Sequence, residues 1–321
     1  MSKEPARRPV YLDCDTGIDD SLALAYLLYA PQIDLVAVGT VSGNTSAHQA
    51  AVNTLALLQL AGREDVPVFE GAQDPLTGTF DGGVPHIHGH NGIGDIVLES
   101  ARRAIEKESA AEALVELAHR YPGELEIVTI GPLTNIALAL ALDPELPNLI
   151  KSVTTMGGAA RVPGNVTEFA EANVWNDPEA AHRALSAPWD ITLVPLDVTL
   201  ANTLDESDRS LLLHSATPLT VAVGKMLDLY FDFYVSFYGR RGCALHDPLA
   251  AAIAVGDVRL ADVRRATVTV DESQGPRRGQ TVCDFEPSLE IDSGSNRSGA
   301  RIVLAMDSPF GPQLVARLEA G

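Results

Sequence analysis

The sequence predicts an α/β fold with an open, mostly parallel sheet, helices on both faces and a small appended β element. Through the first two thirds of the 321-residue chain, short β-rich apolar runs alternate with longer stretches that carry apolar residues at helical spacing. Strands that alternate with helices in this way pair in parallel, and the helices cover both faces of the sheet. Polar turns follow the apolar runs, as expected where a sheet carries a ligand at its C-terminal edge.

The length fits one large α/β domain or two smaller ones, and 46% hydrophobic residues suffice for a full core. No internal repeat, low-complexity segment or linker divides the sequence. We therefore predict that residues 1–321 form a single domain.

The predicted elements follow from these alternating patterns. The strands of the parallel part are Val10–Leu12, Leu35–Val41, Glu126–Ile130, Ser152–Met156 and Ile191–Pro195. The helices are Ser21–Leu28, Thr45–Ala61, Ala110–Arg120, Leu133–Leu142, Pro178–Leu185 and Pro248–Ala254. Gly62 follows the second helix, as is typical of the position after a helix C-cap. Three short runs around Gly-rich turns predict the appended β element: Thr267–Val270, Gln280–Phe285 and Arg301–Ala305.

The formal net charge of −20 argues against nucleic acid and anionic membrane surfaces as partners, because both require a basic face. The three cysteines are widely separated, so they indicate neither a disulfide framework nor a zinc site. No signal-peptide pattern or long apolar stretch is present, and a cytoplasmic location is the expectation.

The acidic string Asp13-Cys-Asp15-Thr-Gly-Ile-Asp19-Asp20 lies between a predicted strand and a predicted helix. Carboxylates packed so closely repel each other, and a cation bound through oxygen relieves that repulsion. An acidic helix N-terminus is the structural alternative, since the helix dipole favours negative charge there. That alternative accounts for Asp19 and Asp20 but not for Asp13 and Asp15, so we favour a metal or catalytic site.

Three histidines alternate along the Gly-rich segment His86-Ile-His88-Gly-His90-Asn91-Gly92. A zinc site, a loop that faces the substrate and an ordinary surface loop remain open from this pattern. The zinc interpretation is the weakest, because no cysteine or further histidine cluster lies nearby in the sequence. We favour the substrate-facing loop.

A second polar segment, residues 164–178, carries Asn165, Glu171 and Asn173. Amide and carboxylate groups of this kind recognise several hydroxyls at once, as in sugar binding. The structural alternative is a helix N-cap at Asp177-Pro178, which accounts for Asp177 but not for Asn165 or Glu171.

Near the C-terminal third, His246 and Asp247 precede a proline that opens an apolar helix. Asp247 could serve as an N-cap, and the two side chains could also serve different partners. Upstream, Tyr230, Tyr234 and Tyr238 recur every four residues along one helix face. Tyrosine at all three positions indicates that this helix face is partly exposed to solvent or stacks on a flat ligand.

Together these segments resemble the inosine–uridine preferring nucleoside hydrolases from Asp13 to about Asp307. The Asp-x-Asp-x-Gly-x-Asp-Asp string matches the signature of that family. Further matches follow in the expected order: Met156-Gly-Gly, Gly164-Asn165, Glu171-Ala-Asn173, Asp177-Pro-Glu-Ala-Ala and His246-Asp-Pro. The resemblance implies a Rossmann-like fold and hydrolysis of the N-glycosidic bond of ribonucleosides to ribose and free nucleobase.

The resemblance also implies residue roles. Calcium (Ca²⁺) would be held by Asp15, Asp20, Asp247 and the backbone carbonyl of Ile130. Asp15 would also be the general base on the attacking water. The ribose hydroxyls would contact Asp19, Asn44, Asn165, Glu171 and Asn173. The nucleobase pocket would be lined by His88, Tyr230, Tyr234 and His246, with His246 as the first candidate to protonate the leaving base and His88 as the second.

The tyrosine-bearing helix and the histidine loop look like the base-tolerant or pyrimidine-accepting branch of the family. The purine-specific branch stacks the base between tryptophans, and neither Trp175 nor Trp189 lies in the tyrosine-bearing helix. The resemblance further implies a small-molecule ribonucleoside substrate and a homo-oligomer, a tetramer or a dimer.

Two other functions fit part of the sequence. In a haloacid dehalogenase-type phosphatase, Asp13 would be the covalent nucleophile and magnesium the metal. However, the acidic loop expected later in such a sequence is missing, and Asp19 and Asp20 would have no role. A non-catalytic nucleoside-binding protein on the same fold is the second alternative, although all the expected ligands are present.

Overall fold

The computed structural model describes residues 6–285 and 299–321. The strands are β1 Arg8–Cys14, β2 Ile33–Thr40, β3 Val68–Glu70, β4 Glu126–Thr129, β5 Ser152–Met156, β6 Ile191–Val194, β7 Thr203–Asp205, β8 Gly242–Ala244, β9 Leu260–Val270, β10 Thr281–Phe285 and β11 Ala300–Met306. The helices are α1 Ile18–Leu28, α2 Ala47–Leu60, α3 Pro85–His88, α4 Ala110–Arg120, α5 Thr134–Leu142, α6 Leu146–Leu149, α7 Ala172–Asn176, α8 Pro178–Ser186, α9 Leu196–Thr199, α10 Glu206–Leu213, α11 Pro218–Tyr238, α12 Asp247–Val255 and α13 Gly311–Glu319.

A nine-stranded sheet runs through the molecule in the order β10-β9-β11-β6-β5-β4-β1-β2-β3. The strands from β3 to β11 in that order pair in parallel, and β9 pairs antiparallel with both β11 and β10. Strands β2 and β3 lie on one side of β1, and β4, β5 and β6 lie on the other, so the strand order reverses between β1 and β4. In such sheets, ligands bind outside the C-terminal ends of the strands at that point. The chain therefore places a crevice at the ends of β1 and β4.

Helices cover both faces of this sheet. Along β1, Leu12 belongs to one buried apolar cluster and Tyr11 to the other, because successive strand residues point to opposite faces. Helices α1, α11 and α12 contribute to the first cluster, and α4, α5 and α8 contribute to the second. This arrangement confirms the predicted fold class, an open, mostly parallel sheet between two helical layers.

The predicted β element near the C terminus is continuous with the main sheet. Strands β9, β10 and β11 extend its edge beyond β6, partly in the antiparallel sense. A separate two-stranded antiparallel sheet forms elsewhere, from β7 and β8. The sequence pattern missed these two strands because each is only three residues long.

Local signals explain several helix ends. Ser46 caps α2 by accepting a hydrogen bond from the Gln49 amide, and Gly62 follows with a positive φ of 65°, as predicted. Asp177 caps α8 through the Ala180 amide, with Pro178 in the first turn. Among the described residues, no helix is both long enough and apolar enough to cross a membrane.

A buried carboxylate, Glu126, ties together the edge of the sheet opposite the crevice. Arg8 at the start of β1 donates to both Glu126 oxygens, at 2.9 and 2.7 Å, and Lys151 donates at 2.7 Å. Arg8 also donates to the carbonyl of Val255 at the end of α12, at 2.7 Å. The carboxylate is therefore compensated only if these cations stay in place.

We expect Arg8→Met to lower the free energy of unfolding by about 2 kcal/mol, because Glu126 loses two charge-assisted hydrogen bonds. Thermal and urea unfolding would measure the loss. Arg7→Met is the matched control, since Arg7 is exposed. Equal destabilisation by both variants would contradict the assigned role of the Arg8–Glu126 pair.

Candidate active site

A cavity of about 450 Å³ opens at the C-terminal edge of the sheet. Every predicted site residue except Asp15 and Asp20 lines it: Asp19, Asn44, His88, Ile130, Asn165, Glu171, Asn173, Tyr230, Tyr234, His246 and Asp247. Asp15 and Asp20 are buried next to these residues. The fold thus brings together segments that are more than two hundred residues apart in the sequence.

Two helix N-termini deliver the acidic side chains. Asp19 and Asp20 lie in the first turn of α1, and Asp247 lies in the first turn of α12, which packs against α1. The partial positive charge at a helix N-terminus favours carboxylates there. Asp20 also caps α1, because its carboxylate accepts from the Gly17 amide at 2.7 Å. The structural alternative for Asp20 is therefore correct, but it does not exclude a second role.

The carboxylate oxygens form a compact group. One oxygen each from Asp19, Asp20 and Asp247 lies within 4.8 Å of the others. Asp15 lies just outside this group, with its backbone amide donating to Asp20 Oδ1 at 3.2 Å. The grouping differs from the predicted ligand set, which included Asp15 and gave Asp19 to the substrate.

Two oxygens at this site have no donor among the described residues. Asp15 Oδ1 and Asp19 Oδ1 are both buried and accept no hydrogen bond. A buried carboxylate oxygen without a partner carries a large desolvation cost. The residues present therefore fit a hard cation, which oxygen ligands of this kind prefer.

Burial and mutual repulsion raise the pKa values of three carboxyl groups at this site. The pKa of Asp15 is raised to about 7, chiefly by burial and also by the charge of Asp19. The pKa values of Asp20 and Asp247 are raised well above their usual range, first by burial and then by neighbouring carboxylates. A cation would oppose both causes, since it stabilises the charged form of each group.

Asn44 and Asn173 orient the groups around the carboxylates. The backbone N–H of Asn44 donates to Asp15 Oδ2 at 2.6 Å, and the side-chain Nδ2 of Asn44 donates to Asp20 Oδ2 at 3.1 Å. Asn173 Nδ2 donates to the carbonyl oxygens of Ile130 at 2.8 Å and Met156 at 3.2 Å. Both amide hydrogens of Asn173 are thereby used, which leaves Oδ1 as an acceptor for a ligand hydroxyl.

Glu171 serves as the N-cap of α7. Its carboxylate accepts from the backbone amides of Asn173 at 2.9 Å, Gly158 at 2.8 Å and Val174 at 3.2 Å. Burial nevertheless raises its pKa. The capping alternative therefore extends to Glu171 as well as Asp177. Asn165 is exposed, and its Oδ1 accepts from the Ala172 amide at 3.0 Å.

His88 and Tyr230 stand beside Asp19. The Ile18 amide donates to His88 Nδ1 at 3.0 Å, so this nitrogen carries no proton and Nε2 is the N–H of a neutral ring. Burial lowers the pKa of His88, which also favours the neutral form. The Tyr230 hydroxyl donates to Asp19 Oδ2 at 2.8 Å, and its ring centroid lies 5.2 Å from that of His88.

His246 is hydrogen-bonded through both ring nitrogens. Its Nδ1 lies 2.8 Å from Thr199 Oγ1, and its Nε2 lies 2.9 Å from the Tyr234 hydroxyl. Burial lowers the pKa of His246. The three side chains form a continuous polar chain that ends in the cavity at Tyr234.

Sequence reasoning missed several contributors. Thr199 lacked any local signal, because only the tertiary structure brings α9 against His246. Apolar and partly exposed side chains also line the cavity: Val166, Trp175, Leu200, Phe233 and Phe237. Phe233 and Phe237 could have been found, since they follow the tyrosines at helical spacing on α11.

Asp13 takes no part in the cavity lining. It is fully buried and accepts from Tyr11 at 3.0 Å and from Asn135 Nδ2 at 3.1 and 3.3 Å. Burial raises its pKa to about 7. An enclosed carboxylate cannot attack a substrate, so the phosphatase alternative with Asp13 as the nucleophile is not supported.

Comparison with known proteins agrees with this geometry. The family model described as inosine-uridine preferring nucleoside hydrolase matches residues 10–310. Uridine nucleosidase 1 from Arabidopsis thaliana is 37% identical over 89% of this chain and 84% of its own length. Two solved structures each cover 98% of this chain and 98% of their own. The first is a plant nucleoside hydrolase, with a TM-score of 0.89 and 29% identity. The second is a purine-preferring ribonucleoside hydrolase from Gardnerella vaginalis, with a TM-score of 0.88 and 32% identity.

The family match spans nearly the whole chain, and the matched segments supply the carboxylate cluster and the walls of the cavity. The resemblance inferred from the acidic signature is thus confirmed. The chain belongs to the inosine–uridine preferring nucleoside hydrolase family and is a ribonucleoside hydrolase.

Proposed function

We propose that the protein hydrolyses the N-glycosidic bond of ribonucleosides and releases ribose and free nucleobase. The reaction would depend on calcium, and the enzyme would be base-tolerant or pyrimidine-accepting. The observation that carries this proposal is the cluster of buried carboxylates at one end of the cavity, with two oxygens that lack donors. The cavity volume of about 450 Å³ suits a ligand of nucleoside size.

Calcium would be held by Asp15, Asp20, Asp247 and the carbonyl of Ile130, with Asp19 in the same oxygen group. An all-oxygen set of this size favours calcium over zinc, which prefers nitrogen and sulfur. When bound, the cation would orient a water molecule and lower its pKa. The Ile130 carbonyl accepts one hydrogen bond from Asn173, and its second lone pair remains for a cation.

Asp15 would accept the proton of the attacking water. Its Oδ2 is fixed by the Asn44 amide, and its buried Oδ1 has no other donor. Burial raises the pKa of Asp15, which favours proton acceptance, and a bound cation would lower the pKa again. With Oδ2 held in this way, Oδ1 would face the reacting water.

The ribose hydroxyls would contact Asp19, Asn44, Asn165, Glu171 and Asn173. Asn173 can only accept at Oδ1, because its amide hydrogens are used within the protein. These groups would stabilise the positive charge that develops on the sugar as the bond to the base breaks. Carboxylates on one side of the ring favour that charge electrostatically.

The departing base would meet two donors. His88 presents Nε2–H, because its Nδ1 is occupied by the Ile18 amide. The Tyr234 hydroxyl would give its proton to the base and take one from Nε2 of a protonated His246, 2.9 Å away, which would return the ring to its neutral form. His246 with Tyr234 remains our first candidate for leaving-group protonation and His88 the second.

The base-tolerant preference rests on the aromatic wall. Tyr230, Phe233, Tyr234 and Phe237 offer flat, adaptable contacts from α11. One relative is named a uridine nucleosidase and another a purine-preferring hydrolase, at similar identities to this chain.

We further propose that the protein is cytoplasmic and forms a homo-oligomer, a tetramer or a dimer. Light scattering of the purified protein would check the oligomeric state.

We expect Asp15→Asn to reduce kcat by roughly a hundred- to ten-thousandfold, the usual worth of a general base. Release of free base from uridine and inosine would be measured alongside the thermal midpoint. Asp190→Asn is the control, because Asp190 is exposed at the start of β6. Wild-type turnover in Asp15→Asn would remove Asp15 from the role of base.

Chelation should abolish activity, and added calcium should restore it and raise the thermal midpoint, because the cation binds only the folded cluster. Zinc and magnesium added to the chelated enzyme serve as comparisons. Rescue by zinc alone would overturn the calcium proposal. Tight nucleoside binding without release of base, even with calcium, would instead favour a non-catalytic binder.

Replacing Tyr234 by Phe keeps the ring but removes the hydroxyl that bonds His246. We expect the ratio of kcat/KM for uridine and inosine to change by about tenfold, the worth of one hydrogen bond. Inhibition by D-ribose should stay unchanged. Tyr121→Phe is the matched control, because Tyr121 lines neither of the two cavities. A uniform loss with all bases in Tyr234→Phe would contradict the pocket assignment.

A further inference from the structure

We propose that the clamp segment Arg277–Thr281, which leads into β10, is a positioning element for the ribose side of the cavity. The inference rests on the proposed function and extends it to residues outside the family motifs. The segment lies at the edge of the sheet, yet several of its contacts reach residues 158–179, the part of the chain that carries Glu171 and Asn173.

Thr281 makes the central contact. It is 3% exposed, and its hydroxyl accepts from the Ala159 amide at 3.1 Å. The adjacent Gly158 has a positive φ of 71°, and an added Cβ there would lie 2.7 Å from Thr281 Oγ1. The hydroxyl therefore fixes the turn that follows β5.

That turn leads directly to the proposed ribose contacts. The Gly158 amide donates to Glu171 Oε2 at 2.8 Å, and Glu171 Oε1 accepts from the Asn173 amide at 2.9 Å. Asn173 in turn holds the Ile130 carbonyl at 2.8 Å. An unbroken series of short contacts thus joins Thr281 to both ribose-facing side chains.

The rest of the clamp segment holds the same wall from outside. Arg278 donates to both oxygens of Glu179 in α8, at 2.9 and 2.8 Å. The Arg277 guanidinium lies 5.0 Å from the ring centroid of Phe169. Gln280 forms an isolated antiparallel bridge with Ala170, the residue before Glu171.

Gly279 permits the close approach of the two segments. Its φ is 79°, and a Cβ would lie 3.1 Å from both the Ala170 Cβ and the Trp175 Cα. Trp175 lines the main cavity, and it also lines a smaller cleft of about 180 Å³ together with Arg278. The clamp segment is therefore packed directly behind the wall of the site.

Thr281→Val tests the proposal, because it keeps the shape of the side chain but removes the acceptor for the Ala159 amide. With uridine and saturating calcium, we expect kcat to fall on the order of tenfold with KM within about twofold. A misplacement of about 1 Å can cost up to a hundredfold, and loss of a transition-state contact lowers kcat. Thr281→Ser restores the hydroxyl and should restore kcat.

Thr269→Val is the matched control, because Thr269 makes the same chemical change on the exposed face of the neighbouring strand β9. Thermal midpoints are measured for all variants. A lower midpoint with unchanged kcat, a raised KM with unchanged kcat, or failure of Thr281→Ser to restore kcat would overturn the proposal.

Arg278→Gln provides an independent test if Thr281→Val fails to fold, since Arg278 is partly solvent-exposed. It breaks the bidentate pair with Glu179, and we expect the same fall in kcat at nearly constant KM. Unchanged kcat in this variant would also overturn the proposal. A wild-type protein that released no base would refute the proposed function instead, so the two failures are distinguishable.

Discussion

The repulsion among four buried carboxylates, those of Asp15, Asp19, Asp20 and Asp247, is the constraint on which the rest of the site depends. Burial and neighbouring charge raise the pKa of Asp15, Asp20 and Asp247. Backbone amides, a tyrosine hydroxyl and two helix N-termini partly compensate the charge, but two oxygens keep no donor. Because the described groups leave these two oxygens without donors, the residues at this site fit a cation.

The hydrogen bonds around this cluster divide the cavity into two sides. On the proposed ribose side, Asn44 donates to Asp20 and Asn173 donates to two backbone carbonyls, so their side-chain oxygens would be the acceptors for a hydroxyl. On the base side, two buried histidines are held in fixed orientations by Ile18 and by Thr199 with Tyr234. In the proposed binding mode, acceptors near the sugar and donors near the base would match the charges that develop when an N-glycosidic bond breaks.

The edge of the sheet near the C terminus pairs strands and also contacts one wall of the cavity. A strand at the edge of a sheet needs only its neighbour for pairing, and β10 has that in β9. Several further contacts of residues 277–281 reach the wall that carries Glu171. Side chains far from the chemistry can thereby fix the reactive geometry, as outer-shell contacts do around metal ligands.

The sequence by itself determined the α/β class, most strand and helix positions and the acidic signature, because periodicity, turns and caps act over a few residues. The sequence did not predict the short strands β3, β7 and β8, because they depend on long-range pairing. For the same reason it did not predict the hydrogen bonds that join Thr199, His246 and Tyr234. Only the tertiary structure brought Asp247 against α1 and enclosed Asp13 between Tyr11 and Asn135. It also made Glu171 a helix cap as well as part of the cavity wall. Local patterns show which residues carry chemistry, whereas the distances between their atoms follow from how helices and strands pack.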